Sequence, residues 1–424
     1  MRRLHYYLLS IISISIISCS GDDSNEKQEE LVLDDNVLTY NEELISDDLI
    51  LNTPLSENYA SIINKKGEKV KEWEFENSLG MELKILPNSN LLGAFQVEDQ
   101  AFNFGGGGGM FKMLNFDGDE LWNYTYADNN HLSHHDVEYL DNGNILFAAW
   151  NRITKEDAIA LGVNTDQDIF PETIIEVNPE TNEIVWKWNS FDHIIQNLDS
   201  SKTETFGVIA DNPQKIDFNY NLQTSDPKVT NGNIMHCNGL FYDEKRDVIF
   251  LSILQYDEVW VIDHSTTQTE AATSSGGNYN KGGDLIYRFG NPSASNQSGE
   301  KYFYRTHSPN IIPDNYPGEG NFLIYMNGNN EHPFSIIYEF KLPEILSFDE
   351  QPEIVWSYSN PDLYYDRISS AYRLSNGNTL ICEGDFGIWE VTPGGEIGWK
   401  YQNDGSTWRA HGFEVNSQEL INLD

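Results

Sequence analysis

Hydrophobic residues occur along this chain in short runs that alternate with polar residues. Val, Ile, Trp and Tyr dominate the runs, and turn-forming pairs such as Asn-Gly separate them. Alternation with a period of two is typical of β-strands with one buried face, and Asn-Gly supplies the positive φ angles of a tight hairpin. No helical stripe is long enough to build a second domain. The pattern therefore predicts an all-β fold.

The runs are grouped into a repeat of four short strands. The two clearest copies, at residues 137–188 and 372–401, each contain Asn-Gly-Asn in the first hairpin and Ile-x-Trp-Lys near the end. Weaker copies lie at residues 81–126, 235–290 and 306–358. A four-stranded repeat of this kind is the blade of a β-propeller, so the interior of the chain predicts five blades.

A sixth blade is predicted from the two ends of the chain. Residues 59–63 and 70–75 supply strands near the N-terminus, and residues 409–415 supply a strand near the C-terminus. Pairing these strands closes the ring and removes exposed strand edges. We therefore predict a six-bladed β-propeller over residues 51–424, closed by joining its N-terminal and C-terminal strands.

Five consecutive glycines, at residues 105–109, interrupt one of the weaker copies. A phosphate-binding P-loop would continue with Lys-Ser or Lys-Thr, but the next residues here are Met110, Phe111 and Lys112. We interpret the run as a flexible loop between two strands.

The chain begins with a short apolar segment behind two positive charges. Arg2 and Arg3 precede an apolar stretch at residues 8–17, which is too short to span a bilayer as a mature helix. We interpret residues 1–18 as a signal peptide. Its end, Ile-Ile-Ser-Cys, resembles a bacterial lipoprotein signal, in which cleavage before the cysteine leaves Cys19 to carry lipid. In an ordinary secreted protein, Cys19 would be incidental.

A polar and acidic segment follows Cys19. Residues 20–30 offer no apolar area to bury, so we expect residues 19–50 to be the lipidated cysteine and a flexible acidic linker. The segment resembles the acidic export signal of Bacteroidetes lipoproteins. The resemblance implies an exported lipoprotein of a Gram-negative bacterium, held to a membrane by its lipid in the periplasm or on the outer-membrane cell surface.

Charge and cysteine usage limit the function classes. The chain has 26 Lys and Arg residues against 67 Asp and Glu residues, a formal net charge of -41. A field of this sign repels phosphate backbones, so nucleic-acid binding is excluded. Cys237 and Cys382 fit no Cys-x-x-Cys or zinc-binding spacing, and we expect both to be buried free thiols.

Histidines stand at the start of the predicted innermost strand in several blades. His134 and His135 occupy this place in one blade, His236 in the next and His307 in the one after. His411 lies in the predicted closing strand. The start of each innermost strand faces the central channel of a propeller, so these imidazoles are expected to converge in one funnel.

Three arrangements of such a group agree with the residues. With carboxylates such as Asp136, the imidazoles would hold a transition metal. Without a metal, they would serve as nucleophile, proton carrier and anion clamp. In the third arrangement, each histidine only forms hydrogen bonds between blades. The residues alone leave all three open.

The order and spacing of these motifs resemble those of bacterial arylsulfate sulfotransferases of the six-bladed propeller type. The resemblance covers residues 80–415. The segments that carry it are Ser-His-His-Asp-Val at 133–137 with Asn-Gly-Asn at 142–144, His-Cys-Asn-Gly-Leu at 236–240 with Tyr-Asp at 242–243 and Val-Ile-Phe-Leu-Ser at 248–252, and Thr-His-Ser-Pro-Asn at 306–310.

This resemblance implies a reaction and roles for the site residues. The family transfers a sulfuryl group from a phenolic sulfate ester to a phenol through a sulfated histidine, so no cofactor and no metal would be needed. By position, His307 would be the nucleophile. His135 and His236 would clamp the sulfate oxygens and help the phenol oxygen leave, and Asn238 would bind the substrate. A neutral imidazole attacks without prior deprotonation, and cationic donors stabilise the charge on the sulfuryl oxygens.

The chain departs from the family at one position. Family members usually have an arginine shortly after the serine that corresponds to Ser252, but residues 253–256 here are Ile-Leu-Gln-Tyr. Arg305 lies two residues before His307, and Arg409 lies two residues before His411. We predict that Arg305, Arg409 and His411 bind the substrate instead. In the alternative, both arginines form ordinary salt bridges.

Two other functions stay open on the sequence. A non-catalytic cell-surface propeller would bind a glycan or a protein in the same funnel, in agreement with the missing arginine. A metal-dependent hydrolase or lyase would use His135, His236, His307 and His411 as metal ligands.

Overall fold

The alternating runs form strands throughout the computed structural model, which describes residues 31–222 and 231–423. The first strands are β1 (Val37–Tyr40), β2 (Leu49–Pro54), β3 (Tyr59–Ile63), β4 (Lys69–Glu74), β5 (Leu79–Ile85), β6 (Leu91–Gln96), β7 (Gly109–Leu114), β8 (Glu120–Thr125), β9 (His131–Tyr139), β10 (Ile145–Asn151), β11 (Glu172–Asn178), β12 (Glu183–Asn189), β13 (Ile194–Ile195) and β14 (Ile216–Asp217). The others are β15 (Cys237–Asp243), β16 (Val248–Ile253), β17 (Glu258–Asp263), β18 (Tyr287–Phe289), β19 (Thr306–Ile311), β20 (Phe322–Met326), β21 (Ile336–Lys341), β22 (Glu353–Tyr358), β23 (Ser370–Arg373), β24 (Thr379–Glu383), β25 (Gly387–Val391), β26 (Ile397–Gln402) and β27 (Thr407–Phe413).

Helical segments are short and lie between strands. The α-helix α1 (Lys155–Ala160) begins after Thr154, whose side chain accepts a hydrogen bond from the backbone N–H of Asp157. Single 3₁₀ turns occur at Ser190–His193, Ile209–Asp211, Leu254–Tyr256, Glu270–Ala272, Pro292–Ser295 and Gln418–Leu420. In the two described ranges, no helix has the length and hydropathy of a membrane span.

Six antiparallel sheets form the blades of a propeller. From the channel outward they are β27-β2-β3-β4, β5-β6-β7-β8, β9-β10-β11-β12, β15-β16-β17-β18, β19-β20-β21-β22 and β23-β24-β25-β26-β1. The innermost strands pack against one another in a closed ring. The predicted six-bladed all-β propeller is confirmed.

The ring closes by the predicted pairing of the two chain ends. β27 pairs antiparallel with β2, so that Leu49 lies opposite Phe413 and Asn52 lies opposite Ala410. The last strand of the chain is thus the innermost strand of the first blade. This pairing ties the two ends of the chain into one sheet and protects a strand edge that would otherwise be exposed.

The ordered sheet begins earlier than the predicted linker boundary at residue 50. β1 pairs with β26 as a fifth strand, with Tyr40 opposite Trp399. Val37, Tyr40 and Ile45 pack against the apolar cluster around Trp399, so burial of these side chains extends the fold toward the N-terminus. A four-residue strand is too short for its alternation to be recognised in the sequence. The predicted signal peptide and Cys19 lie outside the described residues.

Contacts between blades explain the tryptophan that recurs in the repeat. One apolar cluster fills each of the six interfaces between neighbouring blades. Beside five of them, an indole N–H on the fourth strand of one blade donates a hydrogen bond to the loop before the fourth strand of the next blade. The pairs are Trp73 with Phe116 O, Trp122 with Asn182 Oδ1, Trp186 with Thr266 Oγ1, Trp356 with Pro393 O and Trp399 with Lys65 O, at 2.7–3.1 Å.

The long connection between β12 and β15 packs on the propeller near the channel. Its parallel pair β13 and β14 places Ile194 opposite Ile216, and both residues belong to the apolar cluster between the third and fourth blades. The segment delivers Asn231 and Asn233 to one mouth of the channel. Both Cys237 and Cys382 are buried and free, as predicted.

Candidate active site

A β-bulge lies beside the predicted histidine in each of three innermost strands. In β9 the register shifts at His135 and Asp136. In β15 it shifts after Cys237, and in β19 it shifts after His307. A bulge re-aims the side chains of the bulged strand and is frequent next to active sites. The sequence repeat therefore places the same local distortion around the channel three times.

Strained backbone is concentrated at the same mouth of the channel. His135 and His236 both have φ of 58°, Arg305 has φ of 64° and Ile368 has φ of 46°. Residues other than glycine pay roughly 1–2 kcal/mol for this left-handed conformation. All four residues line one cavity. Strain that recurs at one cavity marks it as a functional site.

Three of the predicted histidines meet in a cavity of about 500 Å³. His135, His236, His307 and Arg305 all line it. The ring centres of His135 and His236 are 4.8 Å apart. The indole of Trp408 lies between the groups, 5.7 Å from the ring of His135 and 6.2 Å from the ring of His307. The predicted convergence of these three imidazoles is therefore found.

Two amides fix the tautomer of His307. The Nδ2 of Asn327 donates to the carbonyl oxygens of Tyr365 and Ile368, at 2.9 and 2.7 Å, so its Oδ1 faces His307 and accepts from Nδ1–H at 2.6 Å. The Nδ2 of Asn238 donates to the carbonyl oxygen of Thr306 at 2.7 Å and to Nε2 of His307 at 3.0 Å. Carbonyl oxygens only accept, so neither amide can be reversed. His307 therefore carries its proton on Nδ1 and a lone pair on Nε2.

Burial keeps the catalytic candidates neutral. The pKa of His307 is lowered to about 3, mainly by burial. The hydrogen bond to Asn327 raises it, and the nearby Arg409 and Arg305 lower it. Burial also lowers the pKa of His135 well below its usual value, with smaller contributions from neighbouring groups that include His236 and Arg409. A neutral ring has a lone pair available for chemistry at neutral pH.

Arg305 is the predicted arginine that lines this cavity. Its Nη1 lies 3.3 Å from Oδ2 of Asp366, a half-exposed carboxylate, and its backbone N–H donates to Asp257 at 2.6 Å. The same Nη1 lies 3.4 Å from the backbone carbonyl oxygen of Asp366, and both contacts are long for charge-assisted hydrogen bonds. The guanidinium therefore keeps donors for an anion in the cavity.

Arg409 and His411 do not reach this cavity, which corrects their predicted role in binding the same substrate. Both line a second cavity of about 470 Å³, together with Lys84, Glu138 and Tyr372. β27 runs along the channel, so residues on one face of it reach different depths. The sequence pattern indicated which face of β27 these side chains occupy, but it did not indicate how far along the channel they lie.

Buried ion pairs hold Arg409 in place. Its guanidinium pairs with Glu82, and its Nη2 lies 2.8 Å from Oδ2 of Asp136. Glu82 also contacts Nε2 of His411 at 2.9 Å. Asp136 accepts the backbone N–H of Leu240 at 3.0 Å, so the carboxylate proposed as a metal ligand is engaged elsewhere. Burial would lower the pKa of Arg409, but Asp136 and Glu82 hold it well above its usual value.

The glycine run contributes to the site, which the sequence analysis missed. Residues 105–107 line the cavity, and the carbonyl of Gly106 accepts the backbone N–H of His135 at 2.9 Å. A Cβ on Gly106 would lie only 2.7 Å from Nδ1 of His135, and its φ is +82°. The run is a loop between β6 and β7, as predicted. Its close approach to an imidazole is the reason for glycine at this position.

Two further groups were not predicted. Asn327, which holds the tautomer of His307, follows β20 and belongs to no recognisable motif. Four apolar residues also line the cavity, and we call them the apolar wall: Leu55, Met81, Phe104 and Ile368. No pattern in the sequence marks them. Met81 lies on β5 and the others lie in loops from distant parts of the chain, so only the folded chain brings them together.

The residues of the cavity do not form a metal site. Within residues 31–222 and 231–423, no group of three or more His, Cys, Asp or Glu side chains has an arrangement that holds a metal ion. His134 and His307 use ring nitrogens for hydrogen bonds to protein groups. The metal-ligand hypothesis therefore has no geometric support in the described part of the chain.

Comparisons with solved structures agree with the fold. The chain is similar to a protein of unknown function from Bacteroides caccae, with 16% identity, 87% of this chain and 100% of that chain covered, and a TM-score of 0.50. It is also similar to the periplasmic gluconolactonase PpgL of Pseudomonas aeruginosa, with 10% identity, 87% and 99% coverage and a TM-score of 0.44. At 16% identity the first of these likenesses shows the fold alone.

The family comparison goes further. No curated protein matches the chain. The family model described as Arylsulfotransferase (ASST) matches residues 34–416, nearly the whole propeller, and confirms the resemblance that the histidine motifs indicated. The chain belongs to the arylsulfotransferase (ASST) family.

Proposed function

We propose that this protein is an arylsulfate sulfotransferase that carries the sulfuryl group on Nε2 of His307. Membership of the family supports aryl sulfotransferase activity on aryl sulfates and phenols at the family level. The observation that carries the finer proposal is the fixed tautomer of His307, whose Nε2 lone pair belongs to a neutral ring at a cavity with Arg305. Nucleophilic catalysis by histidine needs this state.

The reaction proceeds in two displacements at sulfur. In the first, the Nε2 lone pair of His307 forms an N–S bond, and the S–O bond to the aryl group breaks with its electron pair on the phenolate oxygen. In the second, an acceptor phenol oxygen attacks the sulfur, and the N–S bond pair returns to Nε2. The acceptor loses one proton and the released phenolate gains one, so the overall reaction balances. Asn238 shifts its hydrogen bond from Nε2 to a sulfuryl oxygen as the sulfur approaches.

Arg305 and His236 bind the sulfate oxygens in this proposal. Arg305 has one long contact to a carboxylate, so its remaining N–H groups are available to an anion. His236 has Nδ1 at 2.6 Å from the amide nitrogen of Asn233, a contact that favours the tautomer with its proton on Nε2. Donors of this kind stabilise the charge that develops on the sulfuryl oxygens. They replace the arginine that the family usually has after the serine at position 252.

The apolar wall accounts for the aryl group. Leu55, Met81, Phe104 and Ile368 line the same cavity as the histidines. A phenyl ring prefers such surroundings, while its sulfate group needs the polar side of the cavity. A cavity of about 500 Å³ is large enough for a small aryl sulfate. The proposed substrates are therefore small phenolic sulfates and phenols.

The test is a transfer assay on the purified protein with 4-nitrophenyl sulfate as donor and phenol as acceptor. We expect phenol-dependent release of 4-nitrophenol, and no turnover by His307→Ala. Incubation with donor alone should add the mass of one SO₃ group to the peptide that contains His307. The metal content of the same sample is measured, so that activity in metal-free protein separates sulfuryl transfer from metal-dependent hydrolysis.

His411→Ala is the matched control. It removes another imidazole of the channel, but one that lines the second cavity instead of the cavity of His307. We expect this variant to keep its activity. Loss of activity in both histidine variants, or mass addition at a residue other than His307, would contradict the assigned nucleophile. Binding of aryl sulfate without turnover in the unmodified protein would favour the non-catalytic propeller.

We also propose that the protein is an exported lipoprotein. The support is sequence alone: two arginines, an apolar stretch and Cys19 in the order of a lipoprotein signal. Metabolic labelling with radioactive palmitate should label the protein and should fail with Cys19→Ala. A Cys19→Ala variant that is still labelled would contradict this assignment.

A further inference from the structure

Two buried residues extend the hydrogen bonds of the cavity into the protein. Nδ1 of His135 lies 2.9 Å from Nδ1 of His134, and Nε2 of His134 lies 2.8 Å from Oε2 of Glu172. Glu172 is fully buried, and its Oε1 accepts the backbone N–H of Cys237 at 2.8 Å. The indole of Trp150 stacks on His134 with ring centres 3.9 Å apart. In the described structure neither Glu172 nor His134 lines the cavity, so both act on it only through His135.

The three groups fix the proton positions of both rings. A carboxylate only accepts, so a neutral His134 has its proton on Nε2 and its Nδ1 is an acceptor. The contact between the two Nδ1 atoms then requires a proton on Nδ1 of His135. The Nε2 of His135 is left with a lone pair. Toward a ligand in the cavity, His135 is therefore an acceptor, and this differs from the predicted clamp that donates to sulfate oxygens.

We propose that Glu172, His134 and His135 form a proton relay that makes His135 the general base for the acceptor phenol. The proposal rests on the proposed sulfuryl transfer through His307. Glu172 and His134 are positioning residues, because they reach the substrate only through His135. General base catalysis of this kind contributes about 10²- to 10⁴-fold in rate.

The relay moves one proton in three transfers. The acceptor O–H proton passes to Nε2 of His135, the Nδ1 proton of His135 passes to Nδ1 of His134, and the Nε2 proton of His134 passes to Glu172. Meanwhile the phenol oxygen forms the S–O bond, and the N–S bond to His307 breaks. In the next donor half-reaction the protons return along the same path to the leaving phenolate. The proton count of the enzyme is therefore restored after each cycle.

The surroundings of His135 explain why a relay is needed. Burial is the main reason that a positive charge on this ring is disfavoured, and the charge of Arg409 adds to it. A proton that stayed on His135 would create a buried imidazolium. Passing it to a carboxylate avoids that charge. On the far side of the relay, Glu172 contacts His134 and Cys237.

The test is Glu172→Gln in the full-length purified protein. The amide keeps an oxygen for the N–H of Cys237 but donates to Nε2 of His134, so it reverses both tautomers and leaves His135 with N–H toward the cavity. The donor half-reaction is measured as the burst of 4-nitrophenolate, which needs no proton. We expect the burst to persist, while turnover with weakly acidic phenols falls about 10²-fold or more. The loss of turnover should be smaller for acidic phenols and at high pH, because the acceptor then binds as phenolate and has no proton to give up.

Two variants complete the experiment. His134→Gln keeps a hydrogen-bonding side chain but passes no proton, so it should show the same pattern. Glu176→Gln is the matched control, because Glu176 lies on the same strand, is buried and contacts Nε2 of His264 at 2.9 Å away from the cavity. It should change neither step.

The outcomes separate the relay from the proposed function. A normal burst with an unchanged acceptor step in Glu172→Gln overturns the relay alone. An equal loss for all phenols, whatever their acidity, assigns Glu172 a structural role and overturns it as well. A missing burst in the unmodified protein overturns the sulfated His307, and the relay with it.

Discussion

Replacing Gly106 by alanine tests how closely the glycine loop holds His135. The φ of +82° costs an alanine roughly 1 kcal/mol or more relative to glycine. The added Cβ would lie 2.7 Å from Nδ1 of His135 and closer to Cε1, whereas ordinary contact begins at 3.4 Å. The ring must therefore retreat by roughly 1 Å, and a displacement of this size in a catalytic group costs about 10²-fold in rate.

Gly105→Ala separates the two contributions. Gly105 has a similar φ of +92°, but no heavy atom lies within 4 Å of its Cβ. Both variants should therefore lose stability to backbone strain in thermal unfolding, and Gly106→Ala should lose more because of its contact with His135. Only Gly106→Ala should lose about 100-fold in turnover with 4-nitrophenyl sulfate and phenol. Equal activity of the two variants would refute the role of the loop in positioning His135, because backbone strain is common to both.

Three further predictions concern the donor half-reaction. Arg305→Gln should raise the KM for the aryl sulfate about 10- to 100-fold in steady-state kinetics, because a charge-assisted hydrogen bond contributes about 1.5–3 kcal/mol, and an unchanged KM would contradict anion binding by Arg305. Asn327→Asp places a carboxylate at Nδ1 of His307 and so raises the pKa of His307. The pH below which the burst amplitude falls should therefore be higher in this variant. In the unmodified protein the pKa of His307 is lowered to about 3, so the neutral ring persists and the burst should keep its amplitude from about pH 7 to about pH 5. A burst that disappears near the ordinary histidine pKa of 6.5 would contradict the lowered pKa of His307.

The sequence predicted the ring and the three histidines for one physical reason. The propeller repeat assigns each strand residue a radial position, and Asn-Gly hairpins mark where the innermost strand ends in the two clearest copies. His135, His236 and His307 occupy equivalent places in consecutive blades, so convergence follows from the blade count. The closing strand was predicted by the same logic, because an unpaired edge had to be covered.

The other parts of the site depend on contacts that no local pattern records. Glu172 reaches His134 across 38 residues, and Asn327 reaches His307 across 20. Each acts through one hydrogen bond that exists only after the strands have paired. The bulges add a further shift, because they turn His135 out of the alternation that a regular strand would give it.

The two arginines that were predicted to bind the substrate have different roles in this proposal. Arg409 lies buried between Glu82 and Asp136, so its own charge is compensated, yet it lies close enough to His135 and His307 to lower the pKa of both. Arg305 lies at the mouth with one long contact to a carboxylate. One cation therefore helps to keep the nucleophile neutral, and the other is available to attract the anion. In a protein with a net charge of -41, an arginine that is fully paired with carboxylates has no charge left to attract an anionic substrate. The cation that binds the substrate must therefore be a different one from the cation held by Glu82 and Asp136.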